Sequence, residues 1–447
     1  MTIARAAAVT GGRIVGTEQV DTELGPIVID SRAVQPGDLF AAYRGERVDG
    51  HQFLTAALEK GAACCLAETL PEGVKGPVLL VESVQRAVEQ IAEAYRQSLS
   101  LPVIGITGSV GKTSAKEMIA AVLEQGFSIL KTEGNLNNQI GVPMTVSRIR
   151  PEHEAAVVEL GISGFGEMRL LSRIAKPDIG VFTVIGHAHL EFLHDLQGVL
   201  AAKTEMLENM AEDAVIVVNG DDELLRDFPC RQRKLTVGLR EDCDVRAVNV
   251  ETDRGGLSRC EILYGDRRIP ARIPASGRHM IYAALEGAAV GILMGLSDEQ
   301  IAAGIRRFQA VGRRFAVQDT GYLTLIDDSY NANPDSVKSG IDSLRELSGR
   351  PVCILGDMLE LGEDSPTMHY DVGAYAASRG VEAVLSCGRY GGDIAAGAGK
   401  AGVCFPDRET LIAALPEVLR QGDAVLVKAS LGSGFAVVAE AVRRLKG

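Results

Sequence analysis

The sequence predicts an α/β protein of three domains, and three observations carry that prediction. At about 150 residues per domain, the 447 residues make three units, each long enough to bury a core. Short apolar runs alternate with helix-length segments, as in a parallel sheet with crossover helices. Glycine is abundant, 50 residues, while aromatics stand at 4% with no Trp, which suits tight loops around a nucleotide better than a stacking surface. The apolar share of 46% and charged share of 23% exclude wholesale disorder. With 59 acidic against 46 basic residues, the net charge of −13 gives no general attraction to nucleic acid or an anionic membrane.

The first unit, 1–98, is read as a small α/β domain, with strand-like runs at 27–29 and 78–81 around an amphipathic helix at 53–60. The second, 99–311, opens on an apolar strand at 101–107 that enters a glycine-rich turn and then a helix over 112–125. Met118, Ile119, Val122 and Leu123 share one face of that helix, and Gly126 is placed to end it. Buried-strand candidates follow at 155–159, 179–185 and 214–218, and the shorter alternating runs over 233–273 read as an antiparallel appendage. Helices at 280–293 and 298–308 lead to Gly312-Arg313-Arg314, where the last boundary is placed. In the third unit, 312–447, strands at 322–327, 352–355, 383–386 and 424–427 alternate with helices, a Rossmann-like pattern.

No stretch reads as a membrane span: the longest apolar run, 280–296, is broken by Glu286. The N-terminus has a short alanine run after Arg5 where a secretory leader needs a longer apolar core. A cytoplasmic protein without membrane insertion is expected. The eight cysteines contain no C-x-x-C pair and read as small core residues.

Gly108-Ser109-Val110-Gly111-Lys112-Thr113-Ser114 lies where a strand meets a helix, so backbone N–H groups and the positive helix end converge on one point. Lys112 is placed to reach the outer phosphates of ATP or GTP and the Thr113 hydroxyl to ligate Mg²⁺. The strict pattern G-x-x-x-x-G-K-[ST] is not met, because Ile106 stands where its first glycine belongs.

From this loop onward the chain resembles the Mur ligases, most closely those that add D-alanyl-D-alanine to UDP-N-acetylmuramoyl-tripeptide. Lys131-Thr132-Glu133-Gly134-Asn135-Leu136-Asn137-Asn138-Gln139-Ile140-Gly141-Val142-Pro143 is similar to the family's T-x-G-N-x-N-N-x-I-G-x-P segment. Val158-Glu159-Leu160-Gly161 resembles its Mg²⁺-binding Glu motif, and Ala188-His189-Leu190-Glu191 its A-H-x-E motif. Asp327 to Pro334 (DDSYNANP) and Gly356 to Gly362 (GDMLELG) resemble further signatures. Asp30-Ser31-Arg32, with Asp49-Gly50-His51, is similar to the nucleotide-sugar site. Three segments depart from the family pattern. H-N-x-x-N reads His279-Met280-Ile281-Tyr282-Ala283, T-N-I-G reads Thr183-Val184-Ile185-Gly186, and K-x-S-R-G reads Lys428-Ala429-Ser430-Leu431-Gly432.

The resemblance implies a three-domain fold with a central P-loop ATPase, and an ATP- and Mg²⁺-dependent amide ligase of peptidoglycan precursor synthesis. Its partners would be UDP-N-acetylmuramoyl-tripeptide and D-alanyl-D-alanine, and the protein is expected to act as a monomer. ATP would phosphorylate a carboxylate to an acyl phosphate, which an amine then attacks; cations must offset the meeting of two anions. Implied metal ligands are Thr113, Glu159, His189 and Lys203, the last at a position that resembles the lysine carbamylated in several Mur ligases, with an unmodified lysine balancing phosphate charge as the alternative. Arg313 is implied on the γ-phosphate and Asp328 on the ribose once the third domain closes. Asn331 and Asn333 either orient groups around the closed site or cap the helix that Pro334 begins. Ser31, Arg32, Asp49, His51, Asn135 and Asn138 are the implied substrate contacts. A zinc site built on His187, His189 and His194 is the weaker reading of that cluster, since no cysteine accompanies it.

Two other functions compete. A family member that adds a single amino acid would carry a D-N-P-R motif, which is absent here. A regulator that kept the fold and lost catalysis draws support only from the altered segments around Met280, Ala283 and Leu431.

Overall fold

The computed structural model describes residues 1–45, 48–253, 257–275, 277–309 and 316–446, which form three sheets. The boundary placed at 311/312 and Arg313 fall outside the described residues.

The central sheet has nine strands. Its buried middle strand, Val103–Thr107, runs parallel to Ala155–Glu159 on one side and Ile179–Phe182 on the other. These are near-continuous apolar runs, as befits parallel strands covered on both faces. The chain leaves Val103–Thr107 toward one side of the sheet and returns to pair on the other, so the crevice at the strand ends is a topological switch point, where α/β folds bind ligands. The glycine-rich turn sits there.

Helix Lys112–Leu123 covers one face and packs against His279–Leu293 and Asp298–Arg307. The approach is close: a Cβ on Gly304 would lie 2.4 Å from the Val122 Cα, so a larger residue would push the two helices apart.

The expected antiparallel appendage is instead the continuation of this sheet. Arg233–Gly238 pairs in parallel with Val215–Asn219, and only from Val245–Thr252 through Ser258–Tyr264 to Arg267–Ile273 are the pairings antiparallel. Alternating burial along Arg267–Ile273 shows why the sequence reads as a separate unit: these strands have one solvated face. The strand expected over 179–185 ends at Phe182, because Thr183 and Val184 turn outward to hold the glycine-rich loop.

The N-terminal sheet has five strands and the C-terminal sheet six. In the latter, Thr324–Asp328, Ala424–Lys428, Pro351–Leu355, Ala383–Cys387 and Gly402–Phe405 run parallel, with Ala316–Asp319 antiparallel at one edge. The N-terminal unit does not pack alone. Helix Val84–Gln97 shares a core with the central sheet, and buried Arg96 donates to the carbonyls of Ala175 and Lys176 and to Asp178. Among the described residues, no helix is long and apolar enough to cross a membrane.

Candidate active site

The turn between Val103–Thr107 and Lys112–Leu123 is held in shape by the segment after Ile179–Phe182. Thr183 Oγ1 donates to the Val110 carbonyl at 2.5 Å, and Ser109 N–H donates to the Val184 carbonyl at 2.8 Å. Ser109 Oγ accepts from Gly186 N–H (2.9 Å) and donates to its carbonyl (3.0 Å). Gly108 adopts φ +152°, and a Cβ there would fall 1.9 Å from Thr183 Oγ1, so only glycine allows this clamp. Gly111, also at positive φ, precedes Lys112 at the helix start, with Ser114 in the first turn. Lys112 Nζ donates to the Gly108 carbonyl at 2.6 Å, folding its charge over the loop where phosphate oxygens would compete for it.

Ile106 and Glu159 are register partners in the sheet. That pairing brings the fully buried Glu159 carboxylate to the loop, where Oε2 accepts from Thr113 Oγ1 at 2.9 Å. Oε1 accepts from Asn137 Nδ2 at 2.8 Å, while Glu159 N–H donates to Thr132 Oγ1 at 3.0 Å. Asn137 was the amide the sequence reading passed over in favour of Asn135 and Asn138. Asn135 is exposed, and Asn138 Oδ1 accepts from Gly141 N–H at 2.9 Å to cap the following helix. Gly161 makes room for this amide: a Cβ there would lie 2.9 Å from the Asn137 side chain.

Lys203 is fully buried, and burial together with the nearby Lys112 charge holds its ammonium well below the usual lysine range. His189 ends on the C-terminal unit: its Nδ1 is hydrogen-bonded to Glu360 Oε2. Both residues have left-handed φ, +58° and +63°, a strained pairing typical of functional positions. The hydrogen bond from the His189 imidazole holds the Glu360 carboxyl below its usual range, and among the described residues no His187–His189–His194 cluster forms. His187 pairs instead with Asp335, whose Oδ2 accepts its N–H at 2.6 Å, while the His194 ring lies against Phe165. Among the described residues no three His, Cys, Asp or Glu side chains gather to hold a metal by themselves.

Asp328 is paired with the buried Lys428, which also donates to the Asn331 carbonyl at 2.9 Å. Asn333 Oδ1 accepts from Ser336 N–H in a capping box on Pro334–Glu346, so of its two readings the cap is realised. Asn331 Oδ1 accepts from Ala332 N–H. In the N-terminal unit Arg32 is exposed and paired with Asp30, beside half-buried Ser31. His51 is buried, its Nε2 accepting from Glu68 N–H at 2.9 Å. Its proton therefore lies on Nδ1, which donates to Asp49 at 2.6 Å. Both ring nitrogens are thus occupied in shaping the loop.

Between the central and C-terminal units lies a cavity of about 830 Å³ whose lining includes Val110, Gly111, Tyr282, Glu286 and Lys338. Tyr282 donates to Asp221 at 2.8 Å on its wall.

A glycine-rich phosphate turn at the switch point of a parallel sheet, a buried carboxylate on its threonine and a cleft closed by a Rossmann-like unit define a nucleotide-dependent P-loop protein. The models described as Mur ligase family, catalytic domain; Mur ligase middle domain; and Mur ligase, glutamate ligase domain match residues 25–96, 106–291 and 306–431. Over 443 residues the chain is 34% identical to the UDP-N-acetylmuramoyl-tripeptide–D-alanyl-D-alanine ligase of Bacillus subtilis, covering 96% of each. It is also 34% identical to the same-named protein of Escherichia coli, covering 100% of this chain and 98% of that one. Among solved structures, MurF from Acinetobacter baumannii superposes with a TM-score of 0.90 at 28% identity over 99% of both chains. MurF ligase from Thermotoga maritima in complex with ADP gives 0.83 at 27%, covering 94% and 97%. The chain belongs to the Mur ligase family.

Proposed function

We propose that this protein joins D-alanyl-D-alanine to UDP-N-acetylmuramoyl-tripeptide at the expense of ATP, as the names of its relatives state for them. The observation that carries the reading is the Lys112–Thr113–Glu159 arrangement at the head of the interdomain cavity. ATP lies with its phosphates on the Gly108–Thr113 turn. Lys112 swings from the Gly108 carbonyl to the outer phosphates, and the loop N–H groups and helix N-terminus offset the charge that develops as the terminal phosphoryl group moves. The tripeptide carboxylate takes up that phosphoryl group, releasing ADP. The dipeptide amine then attacks the acyl phosphate, a C–N bond forms, and inorganic phosphate leaves.

Mg²⁺ fits the donor set. Glu159 is fully buried, and the groups that meet its two oxygens, Thr113 and Asn137, are neutral, so a cation would relieve an uncompensated charge. Both candidate ligands are the hard oxygens this ion prefers. Thr113 and Glu159 would hold it, and it would supply charge neutralisation on the phosphates. Burial favours the uncharged form of Lys203, whose nitrogen lone pair would attack CO₂ with loss of a proton; the resulting carbamate would be a further oxygen ligand beside His189. Arg313 is proposed on the γ-phosphate from its sequence position alone. The substrates assign the protein to the cytoplasm, and a monomer is the working assembly.

The test is ADP release in the presence of Mg²⁺. It should require UDP-N-acetylmuramoyl-tripeptide and rise further on adding D-alanyl-D-alanine; nucleotide binding without substrate-dependent turnover would instead support the regulator.

A further inference from the structure

The Gly108–Thr113 turn accounts for the part of the interdomain cavity lined by Val110 and Gly111, which leaves another of its walls to be explained. Helix His279–Leu293 forms that wall, and Tyr282, Ala283 and Glu286 line it. Glu286 follows Ala283 by three positions and Tyr282 by four, so it lies one turn on from both, on the same side of the helix. Glu286 is the unusual member. Its side chain is 2% exposed, yet its Oε1 has no hydrogen-bond partner among the described residues. A buried polar atom without a partner is costly and calls for a reason. The carboxyl lines a cavity large enough for a nucleoside, with the small Ala283 side chain one turn before it leaving room.

We propose that Glu286 is a nucleobase-binding residue, its carboxyl accepting a hydrogen bond from the exocyclic amino group of adenine and donating one to the adjacent ring nitrogen. The pairing needs a neutral carboxyl, which carries one donor and one acceptor as a side-chain amide does. The surroundings supply that form: burial alone pushes the Glu286 carboxyl up to about 8, so it keeps its proton at neutral pH. Ala283 has no polar atom to offer, and the Tyr282 hydroxyl is committed to Asp221. The assignment rests on the reading of the cavity as the ATP site.

The experiment compares equilibrium binding of ADP and of purine riboside 5′-diphosphate, which lacks the 6-amino group, to the full-length protein and to Glu286→Gln and Glu286→Leu. The unmodified protein should bind ADP about tenfold or more tightly than the analogue. Glu286→Gln should keep that preference, whereas Glu286→Leu should weaken ADP and bind both nucleotides alike. Thermal melting without nucleotide separates this role from a structural one: Glu286→Leu should melt no lower than the unmodified protein, because it removes an unpartnered buried group. Unchanged preference in Glu286→Leu, or a lower melting point with unchanged preference, would overturn the proposal. Failure of the unmodified protein to bind ADP at all, with no ATP turnover, would instead overturn the reading of the cavity and the proposal with it.

Discussion

Thr113 Oγ1 donates a 2.9 Å hydrogen bond to Glu159 Oε2, joining the first turn of a helix to the end of the neighbouring strand. Both groups are buried, so the bond is screened little by water. It holds the carboxylate at the loop where the nucleotide phosphates arrive. Thr113→Val, which keeps the shape and removes the hydroxyl, should lower kcat/KM for ATP by about 10²–10³, the range seen when one transition-state donor is removed. The same variant leaves Glu159 short of a partner, a cost of about 1–3 kcal/mol. A Mg²⁺ titration of phosphate release should show half-saturation moving to higher concentration; an unchanged titration would detach Thr113 from the metal.

Lys112 is only partly buried, and its Nζ donates to the Gly108 carbonyl within its own loop. Lys112→Ala should therefore melt within a few degrees of the unmodified protein while turnover falls to background. Circular dichroism melting and phosphate release on one preparation check both halves. Near-normal release from the folded variant would remove Lys112 from the chemistry.

Lys203→Ala opens a void beside Lys112 and removes a buried amine. If the side chain serves as a carbamate, formate or acetate should restore part of the lost rate by placing a carboxylate in the vacated space. If the amine itself serves, short amines should rescue and carboxylates should not.

Glu286 predicts a dependence of stability on pH. Its carboxyl titrates near 4.5 when exposed and near 8 in the fold, so between those values the folded state holds a proton that the unfolded state has released. Stability therefore falls as pH rises through this window and levels off above it. The melting-point advantage of Glu286→Gln over the unmodified protein should be absent at pH 4, grow through neutrality and reach a plateau above pH 8. A constant difference would mean that the carboxyl is not buried in solution.

The elements legible in the sequence were those whose signal is local. The strand–turn–helix at 101–125 and the apolar runs of the parallel sheets stand out because buried strands are continuous in apolarity. Less legible were the helix Ile3–Thr10, read only as an alanine run, and the strands Leu39–Ala41 and Cys64–Ala67, which are too short to show periodicity. In the site, Glu159 was visible as a charge ending an apolar strand. Asn137 was not, since three asparagines in four positions give no sign of which turns inward until the Gly161 contact is seen. His51 reads as a substrate contact because Asp49-Gly50-His51 resembles the nucleotide-sugar site; its ring hydrogen bonds to Asp49 and to the Glu68 N–H, 17 residues away, leave no local trace in the sequence. Glu286 was noticed only as an interruption of an apolar run; its place at the cavity wall depends on how its helix packs against Lys112–Leu123 and the central sheet.

The central claim is that the terminal phosphoryl group of ATP passes to the carboxylate of the sugar peptide before the amide forms. The most direct measurement uses UDP-N-acetylmuramoyl-tripeptide labelled with ¹⁸O in both oxygens of the reacting carboxylate, with D-alanyl-D-alanine, ATP and Mg²⁺, followed by mass spectrometry of the released phosphate and the product. The account predicts one labelled oxygen in the inorganic phosphate and one in the new amide carbonyl, with ADP as the nucleotide product. Release of unlabelled phosphate, or formation of AMP and pyrophosphate, would contradict it.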